Sequence, residues 1–351
     1  MIFKRILQIA AMGAALHLSS CDGGESNNTE ENSSKKDTIS VKMDTLTLAL
    51  DWRPNVLHSG IFLAQARGFY QEQNIHLEWF TPEVDGYTVK PLKKVLQGKA
   101  DLSVGPSEHL FHYAVDSSGL KAQAVATLLQ KDMSAFVAKA ESGIDSPSDI
   151  SGKTYLGYDT PLENEVLAGM ISNDGGEPEF ETELPGRLEL WEAFKAGKGD
   201  VAWVFLHWEA ALARHEGEAL NSFVPNDYGV PYGYSSVVMA PTDMDSSKQE
   251  LVRRFLEATK RGYRAMKNEP AAALGEVMAF VDHPNFSDSS FIAEAQATIT
   301  PAYFSKNGDW GRMEAEKWRN YLQWMKENEL LEYDRIEGIE PGKFFTNKFL
   351  P

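Results

Sequence analysis

From residue 45 onward, strand-like and helix-like patterns alternate, and this alternation restricts the fold more than any other feature of the chain. "TLTLAL" (Thr45–Leu50) alternates and then turns wholly apolar, as a half-buried strand does. "IFLAQARGFYQEQ" follows with helical spacing and stops before Asn74, and "IHLEWF" reads as a second strand. A helix with a Gly98 stop, the strand "DLSV" and a helix from about Ser107 continue the pattern. "GKTYLGYD" and "GKGDVAWVF", each followed by a helix, repeat it twice more. This order predicts an α/β fold with mostly parallel strands.

Local signals mark several boundaries. Thr160, Pro161 and Glu163 spell a helix start as cap, first helical residue and capping-box acid, and Gly175 and Gly176 end that helix. Ser247 and Glu250 form a second capping box. Trp318, Tyr321, Leu322 and Met325 stand at i, i+3, i+4 and i+7, a stripe that belongs to core packing. Two segments read as crossings between lobes, "DMSAFVAKAESG" and "VPYGYSSVVMAP". They divide the folded part into a discontinuous first lobe, 45–135 plus 236–351, and an inserted second lobe, 136–235. The 351 residues suffice for two lobes of ordinary domain size.

The N-terminus has a different character. Lys4 and Arg5 precede the short apolar run "ILQIAAMGAALHL", and "LSSC" ends at Cys21, the only cysteine. Charge followed by a short apolar run is the order of an export signal, too short to span a membrane as a mature helix. It resembles a bacterial lipoprotein signal, which implies removal of residues 1–20, lipid on Cys21 and attachment to a membrane facing the periplasm or cell exterior. A single cysteine permits no internal disulfide. Residues 21–44, rich in Ser, Asn and Glu, read as a flexible tether. Lys plus Arg is 34 against 51 Asp plus Glu, a net charge of −17, so nucleic acid is excluded as a partner by repulsion from its phosphates.

In α/β sheets ligands sit beyond the carboxyl ends of the strands, and four such ends carry unusual residues. "LDWRPNVLH" places Trp52, Asn55 and His58 on a strand-to-helix corner that a plain turn would not need. "VGPSEH" puts Ser107, Glu108 and His109 on a first helical turn, whose free N–H groups can meet a carbonyl or anion. "GYDTPLE" offers Tyr158 and Asp159, and "VFLHWE" offers His207, Trp208 and Glu209. Tyr232 lies in the second crossing. Each has a structural alternative: Trp52 as a core ring, Asp51 as a turn residue, the histidines as satisfied core groups, Glu209 as the acid at a helix start. No HExxH or HxxxH spacing, cysteine pair, G-x-S-x-G elbow, P-loop or dinucleotide glycine pattern occurs, so no metal, cofactor or catalytic residue is expected.

The motif "DWRPNVLHSGIFLAQARGFY", with "GKADLSVGPSE", "SDISGKTYLGY" and "FFTNKFLP", resembles the substrate-binding proteins that feed bacterial ABC transporters with thiamine-precursor pyrimidines. The wider family includes riboflavin, sulfonate and nitrate binders and the eukaryotic thiamine-pyrimidine synthases. The likeness runs from about residue 45 to the C-terminus. It implies a monomeric two-lobed periplasmic-binding-protein fold (type II), each lobe a mostly parallel sheet flanked by helices, closing on a small heterocycle and partnered by an ABC permease. It also implies that Trp52 stacks on the ring while Glu209 holds its amino edge. Riboflavin or another flat heterocycle, or a sulfonate, is the alternative ligand. His109 falls where the synthase branch carries its reactive histidine, but Gly105 stands where that branch carries its lysine, and "YGYSSVV" replaces its cysteine cluster. A non-enzymatic binder is the expectation.

Overall fold

The computed structural model describes residues 43–160 and 162–351. The strands of its two main sheets are, in chain order, β1 (Asp44–Ala49), β2 (Ile75–Phe80), β3 (Leu102–Gly105), β4 (Ala122–Thr127), β5 (Ser134–Lys139), β6 (Thr154–Leu156), β7 (Glu181–Glu183), β8 (Val201–Phe205), β9 (Leu220–Phe223) and β10 (Val237–Pro241). The first sheet has the order β2-β1-β3-β10-β4 and the second β9-β5-β8-β6-β7.

In each sheet one strand opposes the other four. β10 is antiparallel to both β3 and β4, while β1, β2 and β3 pair in parallel. β5 is antiparallel to both β8 and β9, while β8, β6 and β7 pair in parallel. The two reversed strands are those by which the chain enters each sheet from the other. The carboxyl ends of the co-directional strands face one gap. A chain that leaves one sheet there and crosses directly must start its next strand at the gap, and so runs against its new neighbours.

Strand β1 buries Leu46 and Leu48 on alternate positions, the period-2 pattern that set it apart in the sequence. The expected single helix after the corner is two, Ser59–Ala66 and Phe69–Glu72, because Gly68 adopts φ 73° and breaks the helical path. The first of these packs on the long helix Ser246–Asn268. That long helix is capped by Asp245 rather than Ser247: the carboxylate accepts from the Lys248 N–H at 2.9 Å, and the Ser247 hydroxyl donates to the same oxygen. The helix expected from Thr160 begins at Glu163, with Leu162 at its N-cap in the left-handed region. Glu163 folds back instead, accepting from the Tyr158 N–H at 2.9 Å and the Thr160 hydroxyl at 3.2 Å.

Trp318, Tyr321, Leu322 and Met325 are all buried, as their spacing predicts. Tyr321 lies 5.5 Å from the Tyr232 ring and so supports the second crossing. The segment 1–20, Cys21, the tether to residue 42, and Pro161 lie outside the described residues. No helix among the described residues is long and apolar enough to cross a membrane.

Candidate ligand-binding site

The corner after β1 explains its own composition. The Asn55 side chain accepts from the Leu57 N–H at 2.8 Å, opening a short 3-10 turn over Val56–His58. The backbone N–H of Asn55 faces Nδ1 of His58 at 3.4 Å. With Nδ1 accepting, the ring proton sits on Nε2, which lies 2.8 Å from Asp51 Oδ1. Two buried tyrosines hold the turn from behind: Tyr303 donates to the Val56 carbonyl at 2.7 Å and Tyr263 to that of Leu57 at 2.6 Å. Asn55 and His58 therefore fix the corner, and Trp52 is the group the corner presents.

Trp52, Tyr87 and Tyr158 form an aromatic cluster across the gap. The Trp52 ring centre is 5.6 Å from Tyr87 and 5.8 Å from Tyr158, the latter edge-on at 86°. Trp52 and Tyr87 follow strands β1 and β2 of the first sheet, whereas Tyr158 follows β6 of the second. The pocket beside them holds about 90 Å³ and is also walled by Glu108, His109, Glu209, Trp203 and Tyr232. That volume is below the roughly 150 Å³ of a dry cavity that admits benzene. An outer chamber of about 260 Å³ shares Trp52, Tyr158, Arg187 and Glu209 with it.

Asp51, Glu108 and Glu209 line this space, and Glu163 bonds to the Tyr158 N–H at its edge. Glu209 starts the helix Glu209–Glu216, is buried, and accepts from the Phe205 N–H at 3.0 Å. Burial lifts its pKa to about 7. Glu108, also buried, accepts from the Tyr232 hydroxyl at 3.1 Å and is lifted by burial to about 8. Glu163 is raised for the same reason. Lys90 is lowered to about 8 by burial, with the Arg187 charge adding to the effect. Burial thus weakens the acidity of Glu108 and Glu209 and the basicity of Lys90.

One carbonyl joins the two sheets at the rim. Lys90, ahead of the helix Pro91–Leu96, donates to the Asp159 carbonyl at 3.1 Å, and Arg187, beyond β7, donates to the same oxygen. Asp159 adopts φ 55°, which turns that oxygen toward both donors. The Arg187 guanidinium also lies 5.1 Å from the centre of the Tyr87 ring.

Of the residues singled out from sequence, Trp52, Glu108, Tyr158, Glu209 and Tyr232 come together around the pocket. Asn55 and His58 stand behind it as described. Ser107 ties the second crossing, its hydroxyl accepting from the Tyr234 N–H at 3.2 Å and its own N–H donating to the Tyr234 carbonyl. Asp159 contributes its carbonyl to the rim. The N–H groups of the short helix at Ser107 and His109 are spent on the carbonyls of Tyr234 and Pro106, so they are not free for an anion. Trp208 packs into the core against Phe291. Sequence reading passed over Tyr87, Trp203 and Arg187. Tyr87 and Arg187 follow the ends of β2 and β7, and Trp203 lies one turn of the pleat before the end of β8, so the strand-end rule reaches all three. Tyr87 and Arg187 stand several residues beyond their strands, and Trp203 reads from sequence as an apolar strand residue.

The sequence profile of the NMT1/THI5-like family matches residues 55–273. A formylaminopyrimidine-binding protein of Halalkalibacterium halodurans is 25% identical over 327 residues, covering 92% of this chain and 94% of that one. A 4-amino-5-hydroxymethyl-2-methylpyrimidine phosphate synthase of Legionella pneumophila is 27% identical over 232 residues, 65% of this chain and 71% of its own. Among solved structures, the alkanesulfonate-binding protein SsuA of Xanthomonas axonopodis pv. citri, bound to MOPS, superposes with a TM-score of 0.61 at 14% identity, covering 88% of this chain and 98% of that one. The chain has the two-lobed periplasmic-binding-protein fold.

Proposed function

This chain belongs to the NMT1/THI5-like family, and on that premise we propose that it is the substrate-binding component of an ABC importer, with an aminopyrimidine thiamine precursor as its ligand. The reading rests on one observation above the others: an indole from the first sheet and a carboxyl from the second wall the same small pocket. Trp52 supplies a flat apolar face, worth about 0.5–2 kcal/mol more if the ring is protonated. Glu209 accepts from the exocyclic amine and, with a proton shared to the neighbouring ring nitrogen, forms a charge-assisted pair. Burial raises that carboxyl to about 7, so it holds its proton more tightly than an ordinary carboxyl and can share it with a weakly basic ring nitrogen. The formylaminopyrimidine-binding relative supports this ligand class.

The lobes are 45–135 plus 236–351 and 136–235, hinged at the two crossings. Each contributes half the site, so a ligand favours the closed state through its contacts with both. No group in the pocket is assigned a catalytic role. Cys21 carries the lipid that holds the protein outside the inner membrane, where it meets its permease.

Calorimetry with formylaminopyrimidine tests the ligand. The parent binds it, and Glu209→Gln weakens binding about 10- to 150-fold, the cost of a lost charge-assisted hydrogen bond. Equal affinity in parent and variant refutes the role of the acid. No binding, together with flavin absorbance in the freshly purified protein, would favour the riboflavin alternative. Cys21→Ser should move the protein from the membrane to the soluble fraction with ligand affinity unchanged.

A further inference from the structure

Glu108 is 2% exposed and walls the pocket from the first sheet, on the helix Glu108–Tyr113 that follows β3, while Glu209 walls it from the second. Its Oε2 accepts from the Tyr232 hydroxyl at 3.1 Å. Oε1 makes no hydrogen bond among the described residues, and it is not one of the fully enclosed polar atoms, so it opens on the cavity. The Thr160 hydroxyl, which reaches toward this carboxyl from the other sheet, is already given to Glu163 at 3.2 Å.

A buried carboxyl needs either a cation beside it or a proton on it. Among the described residues no lysine or arginine forms an ion pair with Glu108; Lys90, whose charge is felt there, donates to the Asp159 carbonyl instead. Glu108 is held as the acid: burial lifts its pKa to about 8, and the Glu163 charge adds to the rise. Since Oε2 accepts from Tyr232, the proton rests on Oε1, and the group facing the cavity is an O–H donor. The guest atom that completes it is an acceptor with a free lone pair, not an N–H or an ammonium. On the reading above, Glu209 takes the amine of the ring and the nitrogen beside it. An aminopyrimidine has a second ring nitrogen, remote from the amine, whose lone pair points away from that edge in the ring plane.

Building on the aminopyrimidine reading, we propose that Glu108 is a second specificity-determining acid, donating from Oε1 to the ring nitrogen that Glu209 does not touch, so that the site selects a ring with two nitrogens over one with a single nitrogen. The two sheets then grip one ring through opposite roles, a carboxyl that accepts from the amine and a carboxyl that donates to the remote nitrogen.

The test uses calorimetry on the full folded protein with three probes of one shape: 4-amino-2,5-dimethylpyrimidine and the two aminopyridines in which a C–H replaces either the remote ring nitrogen or the one beside the amine. Glu108→Leu weakens the pyrimidine about 5- to 150-fold, the cost of leaving a buried acceptor unpaired. It weakens the aminopyridine that keeps the remote nitrogen by a similar factor and leaves the one that lacks it unchanged. Glu108→Gln, whose amide can donate to the ring and accept from Tyr232, keeps the parent's preference. Infrared difference spectra supply a second readout that does not depend on the leucine variant folding. A protonated-carboxyl C=O band, absent from Glu108→Gln, shifts when the pyrimidine binds and stays in place with the aminopyridine that lacks the remote nitrogen. Equal weakening of the pyrimidine and that aminopyridine in Glu108→Leu shows a merely structural role and overturns the proposal, as does a carboxyl band that is missing or unmoved by the pyrimidine. If the parent binds all three probes and Glu108→Leu changes none of them, the ligand class stands and the role of Glu108 alone fails. If the parent binds none of them, the ligand class has failed and this role falls with it.

Discussion

Replacing Glu209 with Gln should stabilise the ligand-free protein at alkaline pH and leave it little changed in acid. Burial lifts this carboxyl from an ordinary 4.5 to about 7. Between those two values the folded chain holds a proton that the unfolded chain has released. Unfolding stability therefore falls as pH rises through that window and is flat above it. At about 1.4 kcal/mol for each pH unit of the window, the loss comes to about 3 kcal/mol by pH 8. Gln cannot ionise, so it escapes this loss, and its carbonyl oxygen can still accept from the Phe205 N–H. Urea unfolding of both proteins at half-unit intervals from pH 4.5 to 8.5, without ligand, provides the measurement. Titration of other groups, Glu108 included, is common to the two and cancels in the difference. The difference should grow by about 3 kcal/mol in favour of the variant. Two pH profiles that stay parallel would refute the claim that this carboxyl is strained by burial in the empty site.

Trp52→Ala should weaken ring binding about 5- to 50-fold while Trp52→Phe keeps part of the stacking, read by calorimetry with formylaminopyrimidine. Gly262→Ala should destabilise the protein by about 1–3 kcal/mol or more in thermal unfolding, because a Cβ there would lie 1.9 Å from the Gly60 carbonyl oxygen and force apart the two helices behind the Trp52 corner. Tyr303→Phe removes one of two donors to the buried Val56 carbonyl, the Ser59 N–H remaining, and should cost about 0.5–1.5 kcal/mol in the same assay. Lys90→Met removes the first-sheet donor to the Asp159 carbonyl, so stopped-flow should show faster ligand release with little change in association.

Much of the architecture was legible because it depends on local periodicity. The period-2 run at Thr45–Leu50 is a strand, and the stripe from Trp318 to Met325 is buried. Caps were less legible. Asp245 and Ser247 are both good caps, and which one acts depends on where the incoming chain is held. The Glu163 carboxyl could have closed a capping box with Thr160, but it also meets the Tyr158 N–H once β6 delivers that group to it.

At the site, residue type alone could not separate presenters from supporters. Asn55 and His58 sit in the same motif as Trp52, yet their hydrogen bonds turn inward to build the corner. The strand-to-helix order and the unusual residues at strand ends follow from near neighbours in the chain, so the sequence by itself determined them. That Trp52, Tyr158 and Glu209 share one pocket, that buried carboxyls lose much of their acidity, and that His109 has no hydrogen-bond partner among the described residues were decided only by the tertiary structure. Each depends on groups brought together, or on water removed, by segments far apart in the chain.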